Sequence, residues 1–443
     1  MEPTIHGAEV GGDRILVDRI SNLVRDPRRH EVWVFQYPND RRINFVKRVA
    51  GVGPESLFVL DGDLYTAPLG SEPRSTDQLH AEGRLEIARK SDAVQEAMFD
   101  RYPQIAAADL SHPSSERFQR YWRLPAPSLP GREEWSFTPE GVRADSPTRS
   151  LLTFRDAIKD TCDKFADVSS TNHPGKYVVG DVKVAFRVRP ESEKGRVEIE
   201  IHDPQIDDVI AAHLPIGGEA KDGALTLKGV PQVDLGGFRL EPHRISAVSF
   251  SSADDFVTLK VDGRCVASFA FRHPPAPTLL VDDRRQRVAF GVDGASAVFD
   301  ECGVWRDIYY RPGQLSRFDI PAGQFVLLGD NSASSKDSRE WVRMTFEFPD
   351  GTRIQGDSEA VIDPENLDER SDNPWKAVGD GTEGSSSPTW HFLDRFGNVH
   401  DLGADCWSRL SSRKESWPLV PRDHFLGRAV AIFLPLGRMS LVR

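Results

Sequence analysis

Phe45-Val-Lys-Arg-Val-Ala-Gly51 has the alternating character of a β-strand and predicts that the N-terminal part of the chain forms a β-sheet. Side chains alternate between the two faces of a strand, so Phe45, Lys47 and Val49 share one face. Lys47 is thus predicted to lie between two apolar side chains. Desolvation there would lower the pKa of the lysine, which a neutral general base requires. The alternative is a half-exposed strand whose lysine extends to keep its ammonium group in water.

Short runs of β-forming residues lie on both sides of this stretch. They are Ile15-Leu-Val17, Val32-Trp-Val-Phe35 and Leu57-Phe-Val-Leu60, and Gly, Pro, Asn and Asp separate them. Asp61-Gly62 follows the last run and predicts a tight hairpin turn. Residues 1–66 are therefore predicted to form antiparallel sheets.

The character of the sequence changes after residue 66. From residue 134 many short apparent strands follow one another, and Val182, Val184, Phe186 and Val188 alternate with polar or small residues. This pattern favours a two-sheet β-sandwich or jelly roll. The prediction is a mainly β protein in which coiled antiparallel sheets are interrupted by an inserted sandwich. Its segments are a first core part (1–66), a helical and Pro-rich spacer (67–133), the jelly-roll insert (134–311), a second core part (312–345), a polar loop-rich insertion (346–419) and closing strands (420–443).

Charge and composition argue against several kinds of function. The 443 residues include 68 Asp and Glu against 56 Lys and Arg, a formal charge of −12. Such a chain is not expected to bind nucleic acid, because phosphate contacts require a basic face. No stretch approaches the roughly 20 apolar residues of a membrane span, so the chain as written is expected to be soluble. No residues stand at metal-ligand spacing, and neither a metal nor another cofactor is expected.

Six short motifs follow one another along the chain. They are Met1-Glu-Pro-Thr4, Gly12-Asp13, Val32-Trp-Val-Phe-Gln-Tyr-Pro38, Phe45-Val-Lys-Arg-Val-Ala-Gly51, Gly329-Asp-Asn-Ser-Ala-Ser-Ser-Lys-Asp-Ser-Arg339 and Gly427-Arg-Ala429. Each is weak alone, but the ordered set resembles the type I signal peptidases, which are Ser-Lys proteases of the S26 type. The resemblance covers roughly residues 1–66, 318–343 and 420–443, less than a third of the chain.

The resemblance implies roles for individual residues. Lys47 matches the general base, and Ser335 matches the serine that orients its amine. A Ser-rich turn that satisfies its own backbone is the alternative for Ser335. The loop around it is expected to be supported, without a chemical role, by Asp330, Asn331, Asp337, Ser338 and Arg339. The peptide is expected to bind as an added strand beside Met1, Glu2, Pro3, Asn44 and Phe45.

The start of the chain departs from the family pattern. In the family the nucleophilic serine directly precedes the Met-x-Pro-Thr run, and here Met1 is the first residue. The serine, a hydroxyl two residues before it and an N-terminal membrane anchor are thus expected upstream, and the chain as given is expected to lack activity. A trimmed chain, a start assigned at an internal Met and an inactive relative all remain open.

The resemblance also implies a biological role. It predicts a serine endopeptidase that removes signal peptides from exported preproteins during protein secretion, anchored in the cell membrane with its catalytic domain on the outer, periplasmic face. The insert resembles concanavalin-like (laminin-G-like) jelly rolls through strands such as Val288-Ala-Phe-Gly-Val-Asp-Gly294. The alternative is an inactive peptidase-like scaffold whose jelly roll binds a glycan or a protein. A self-cleaving Ser-Lys repressor is disfavoured by the acidic charge.

Overall fold

The computed structural model describes residues 1, 4–7, 12–70, 75–102, 121–127, 133–155, 157–160, 175–218, 223–275, 287–359, 373–377, 389–402 and 411–443. Strands dominate this part of the chain, and the paired strands run antiparallel, which confirms the predicted mainly β fold. None of the helices within the described residues has the length and apolar character needed to cross a membrane.

The secondary structure elements follow in chain order. The first group is β1 (Arg14–Asp18), α1 (Ile20–Val24), β2 (Val32–Tyr37), β3 (Asp40–Val52), β4 (Glu55–Leu60) and β5 (Asp63–Ala67). The second group is α2 (Thr76–Ala81), β6 (Glu86–Ile87), α3 (Asp92–Met98), β7 (Asp100–Tyr102), β8 (Trp122–Arg123), β9 (Trp135–Thr138), β10 (Gly141–Ser146), β11 (Ser150–Phe154), β12 (Val182–Pro190), β13 (Arg196–Asp203), β14 (Asp208–Pro215), β15 (Ala224–Leu227), β16 (Val230–Asp234), β17 (Ser246–Ala253), β18 (Phe256–Val261), β19 (Arg264–Ala270), β20 (Arg287–Asp293) and β21 (Ala295–Arg306). The third group is β22 (Arg317–Ile320), β23 (Gln324–Leu328), β24 (Val342–Glu347), β25 (Arg353–Asp357), β26 (Trp375–Ala377), β27 (Thr389–Leu393), β28 (Val399–Leu402), β29 (Ser411–Ser416), β30 (Val420–Pro421), β31 (Phe425–Leu434) and β32 (Ser440–Leu441).

The chain divides into two compact units. Unit 1 comprises residues 1–59, 64–74 and 312–443, and unit 2 comprises residues 60–63 and 75–311. Unit 1 thus combines the N-terminal and C-terminal parts of the sequence, where the signal-peptidase-like motifs lie.

The main sheet of unit 1 brings these motifs together. Its strand order is β1-β31-β2-β3-β23-β30, with β32 on β31. Apolar side chains of β2, β3 and β23 pack together in one cluster, which also includes Trp341. Trp33 and Phe35 of β2 and Trp341 are buried in it. In consequence the Lys47 strand, β3, lies beside the strand that leads into the Gly329–Arg339 loop.

Unit 1 also has smaller sheets. β22, β4 and β5 form one of them, and Asp61-Gly62 makes the predicted turn between β4 and β5 with φ angles of 47° and 96°. Two three-stranded sheets, β25-β24-β29 and β26-β27-β28, lie within residues 342–416, most of which the sequence presents as loops. Their strands have only three to six residues each, so the alternation is hard to see in the sequence. Phe346 and Phe392 pack edge to face at 4.9 Å and give them a small core.

Unit 2 contains a two-sheet β-sandwich. One sheet has the order β19-β18-β17-β12-β21-β10-β9, with β7 on β21, and the other has the order β16-β15-β14-β13-β20-β11-β8. Phe186 and Phe299 from the first sheet contact Phe290 from the second, with ring centroids 4.6 and 5.1 Å apart. The alternation that predicted this sandwich therefore fills the space between its sheets with apolar side chains.

The region predicted to be a helical spacer contains short elements. A capping box of Ser75 and Gln78 starts α2, and Gly83, with a φ of 71°, follows the end of that helix. Strand β6 then separates α2 from α3. Because a glycine in this conformation stops a helix, one continuous helix across residues 76–100 does not form.

Candidate functional site

Lys47 lies in the centre of β3, opposite Trp33 of β2. Its side chain is buried, and its Nζ lies 2.7 Å from Ser335 Oγ. The ring centroid of Phe45 is 5.6 Å from the same nitrogen. Phe45 packs against the apolar cluster that includes Val49. The structure therefore brings together the lysine and the serine that the sequence singled out, on the apolar face of the strand.

The surroundings of Lys47 lower its pKa. Burial is the largest cause, because it penalises the charged form of the amine, and the nearby Arg339 acts in the same direction. The carboxylates of Asp337 and Asp330 oppose the shift, but they do not cancel it. The net effect favours a neutral amine, which can accept a proton.

The loop that carries Ser335 approaches Lys47 very closely. A Cβ atom added to Gly329 would collide with the side chain of Ser335 and would lie 3.2 Å from Lys47 Nζ. Glycine is therefore needed at this position because of the close approach of the lysine and the serine.

Buried polar contacts fix the shape of this loop. Arg339 makes a bidentate ion pair with Asp337, at 2.9 and 2.6 Å, and Asp337 also accepts the Gly329 backbone N–H at 2.9 Å. The hydroxyl of Ser338 accepts the Leu327 N–H at 3.0 Å. Asp337 and Ser338 are fully buried, so these bonds join the loop to the end of β23 without access to solvent.

A second buried ion pair links three motifs that are distant in sequence. Arg48 donates to both carboxylate oxygens of Asp330, at 2.9 and 2.8 Å. Thr4 donates its hydroxyl to Asp330, and the Arg48 guanidinium lies 3.4 Å from that hydroxyl. Asp330 therefore holds the N-terminal segment beside β3. Sequence spacing does not indicate that Arg48 is the partner of Asp330.

The remaining predicted residues lie around this centre. Asn331 accepts the Ser334 N–H with its backbone oxygen at 3.1 Å. Asn44 of β3 is exposed and pairs with Gln36 of β2. Met1 packs against the apolar cluster that includes Ile5. Glu2 and Pro3 lie outside the described residues.

One edge of β3 is open near Lys47. On that side β23 pairs with β3 only from Val52 back to Arg48, where Leu328 is its last partner. Among the strands of the described ranges, none pairs with this edge between Asn44 and Lys47. Unpaired backbone N–H and C=O groups along an edge can bind an extended peptide as an additional strand.

Unit 2 contains a group of carboxylates that sequence reasoning missed. Asp63, Asp181 and Asp254 are buried, and each offers an oxygen within 4.8 Å of the others, so they could together hold a metal ion. Lys90 forms ion pairs with Asp254 and, at 2.9 Å, with Asp307. These residues are far apart in the sequence and only strand pairing brings them together, so spacing gave no signal.

Known proteins match different parts of the chain. Residues 1–104 match the family model described as signal peptidase, peptidase S26. Signal peptidase I from Pseudomonas fluorescens is 32% identical over 95 residues, which are 17% of this chain and 32% of that protein. The chain thus spans about a third of the length of this relative. The family match spans Lys47, and the two matches together support a signal-peptidase-like ancestry.

Solved structures match the chain with low scores. The carbohydrate binding module CBM66 from Bacillus subtilis has a TM-score of 0.26 at 13% identity, over 41% of this chain and 94% of its own. An alginate lyase from Corynebacterium sp. has a TM-score of 0.27 at 11% identity, over 44% of this chain and 97% of its own. The two-sheet sandwich of unit 2 follows from its strand pairing alone.

Proposed function

We propose that unit 1 is the catalytic unit of a signal-peptidase-type serine endopeptidase that cleaves exported preproteins. The observation that carries this proposal is the contact of 2.7 Å between Lys47 Nζ and Ser335 Oγ, in a buried site where the lysine pKa is lowered. A buried lysine with a hydroxyl partner has the arrangement of a base held in place by a third group. The S26 match of residues 1–104 supports the same reaction class.

In the proposed reaction, the neutral amine of Lys47 takes the proton of a serine hydroxyl while that oxygen attacks the peptide carbonyl. Lys47 then gives the proton to the leaving amine as the C–N bond breaks. Water then attacks the acyl-enzyme carbonyl and loses a proton to Lys47, and Lys47 returns this proton to the serine oxygen as the ester C–O bond breaks, which regenerates the serine hydroxyl and the neutral amine. Ser335 keeps the amine directed at the reacting atoms and itself exchanges no proton with the substrate.

The nucleophile is proposed to be a serine directly before Met1. Met1 packs against a cluster that also includes Val46, the residue before Lys47. Thr4 is held by Asp330, which binds the residue after Lys47. Both contacts hold the N-terminal segment against the part of β3 that carries Lys47, on the face of Val46 and Arg48.

The test compares three proteins on one preprotein. The first is the chain of 443 residues, the second carries a serine and an apolar span before Met1, and the third carries alanine in place of that serine. We expect signal-peptide release, seen as a mobility shift, from the second protein only. Equal cleavage by all three would refute the serine as nucleophile. Absence of cleavage by all three would refute the proposed function.

A further inference from the structure

Part of the 346–419 insertion lies next to the open edge of β3. We define the side segment as residues 353–359, which include β25, together with residues 393–399, the turn between β27 and β28. The two parts are joined, since the Arg395 N–H donates to the Gln355 oxygen at 2.7 Å.

The side segment contacts the catalytic region at two places. At one end, Lys336, the neighbour of Ser335, lies 3.2 Å from both Asp357 and Glu359. At the other end, the Arg41 N–H donates to the Arg395 oxygen at 2.8 Å. The first place is beside the proposed base, and the second is at the far end of the open edge. A peptide bound along β3 would therefore extend from Lys47 towards the side segment.

The hydrogen bond between Arg41 and Arg395 lies at an irregularity of β3. The register with β2 passes from Asn44 directly to Asp40, so Arg41 is not paired with β2. Its backbone instead bonds to the side segment, and a Cβ atom on Gly397 would collide with Arg42. The turn at residues 394–397 is thus fitted closely against this end of the strand.

An exposed aromatic residue lies at this place. Phe396 is 54% exposed, and the guanidinium groups of Arg395 and Arg41 lie 4.8 and 5.7 Å from its ring centroid. Both arginines are thereby stacked beside the ring, and they restrict its position while leaving it accessible. A preorganised exposed ring of this kind is suited to bind an apolar side chain of a ligand.

We propose that Phe396 is a subsite for a bulky apolar residue of the bound peptide. This inference rests on the proposed function, since it places the peptide on the β3 edge. Arg41 follows Asp40, whose partner Tyr37 on β2 is four residues from Trp33, the partner of Lys47, so the distance along the strand corresponds to about four residues, or about 13 Å. The preferred apolar residue therefore lies about four positions from the bond that is cleaved.

The test is a binding experiment with the chain of 443 residues. Fluorescein-labelled 16-residue peptides carry Ala at the minus-one and minus-three positions of an otherwise Ser/Ala sequence, and a single Leu is moved from one end to the other. We expect the affinity from fluorescence anisotropy to show a maximum when Leu lies four or five positions from the expected cleavage bond, on one side. Phe396→Ala should remove this maximum with a loss of about fivefold or more, while Phe396→Trp should keep it.

Phe433→Ala is the matched control, because Phe433 is a similarly exposed aromatic residue on β31. It should leave the maximum unchanged. A maximum that persists in Phe396→Ala, or a flat profile for a parent chain that binds the peptides, would overturn the subsite and leave the proposed function standing. Failure of all the peptides to bind the parent chain would overturn both.

Discussion

Gly329 and Ser335 determine how close the proposed base and its partner can come. A methyl group on Gly329 would collide with Ser335 and touch the Lys47 amine, so Gly329→Ala should displace both side chains. Displacement by about 1 Å at a catalytic group can lower a rate by on the order of 100-fold. We expect this loss in preprotein cleavage by the protein that carries a serine before Met1. Gly437→Ala is the control, since an added methyl group there meets no atom within 4 Å, and it should leave the rate unchanged.

Ser335→Ala separates orientation of the lysine from proton transfer. It removes the oxygen at 2.7 Å from Lys47 Nζ and leaves the base in place. We expect kcat for cleavage to fall while measurable activity remains, because the amine can still accept a proton from less favourable positions. Ser334→Ala, at the neighbouring position, should have a much smaller effect. Complete loss of activity in Ser335→Ala, with the fold intact, would contradict a purely orienting role.

Burial of Lys47 should also affect stability. A lysine whose folded pKa lies below the value of 10.5 in the unfolded chain binds fewer protons when folded, so its cost to stability is complete at low pH and declines as pH rises. Lys47→Met should therefore increase the protection of β3 amides from hydrogen exchange at pH 7. This gain should shrink towards pH 10.5. A gain that is independent of pH would mean that the variant acts through packing alone.

Buried carboxylates lie at the ends of several strands in unit 2. Asp63 begins β5, Asp181 precedes β12, Asp254 follows β17 and Asp307 follows β21. Burial and their mutual repulsion raise the pKa values of Asp63 and Asp181 well above the ordinary range. For Lys90, burial lowers the pKa, but the carboxylates of Asp254 and Asp307 outweigh it and raise the pKa.

Asp63→Asn should stabilise unit 2 at pH 8 and have little effect at pH 4. The folded carboxyl holds its proton to a higher pH than the unfolded one, so the wild-type protein loses stability as pH rises above about 4. The amide avoids this loss and can still accept from Gln205. The measurement is amide exchange in β12, with the exposed Asp207→Asn as control. Equal destabilisation at both pH values would show that the carboxyl is needed for packing.

Lys90→Met tests the contribution of the positive charge to this group of carboxylates. The change removes the ammonium group that pairs with Asp254 and Asp307 in a buried site. Breaking such a pair by removal of one partner typically costs about 3–5 kcal/mol. We expect a clearly lower midpoint for unfolding of unit 2 in urea at pH 8, and partial recovery when Asp254→Asn is added. No recovery in the double variant would contradict a charge-based role.

The sequence predicted strand faces better than long-range partners. Alternation along β3 indicated that Lys47 shares a face with Phe45 and Val49, and Asp61-Gly62 indicated a turn, because these features depend on neighbouring residues. The pairing of Arg48 with Asp330, 282 positions apart, depends on the strand order and could not be read from spacing. The strands within 346–419 were missed because each has only three to six residues, which is too short for a clear alternating pattern.

At the scale of the whole molecule, unit 1 should fold without most of unit 2. β5 and β22 are both neighbours of β4, so the chain leaves and re-enters unit 1 at strands that are about 10 Å apart. Removal of about residues 70–312 and insertion of a short Gly/Ser linker should leave a protein with cooperative urea unfolding and a native near-ultraviolet circular dichroism spectrum. A protein without cooperative unfolding would show that unit 1 depends on the insert.

Lys47 is proposed to be the general base of a preprotein-cleaving site. The most direct measurement is the pH dependence of preprotein cleavage by the full chain with a serine before Met1, compared with its Lys47→Arg variant. We predict that kcat/KM rises with pH with a midpoint below 10.5, because burial lowers the lysine pKa, and that Lys47→Arg abolishes cleavage while the protein remains folded, because a guanidinium group cannot release its proton. Substantial cleavage by Lys47→Arg with the same pH profile would show that Lys47 is not the general base.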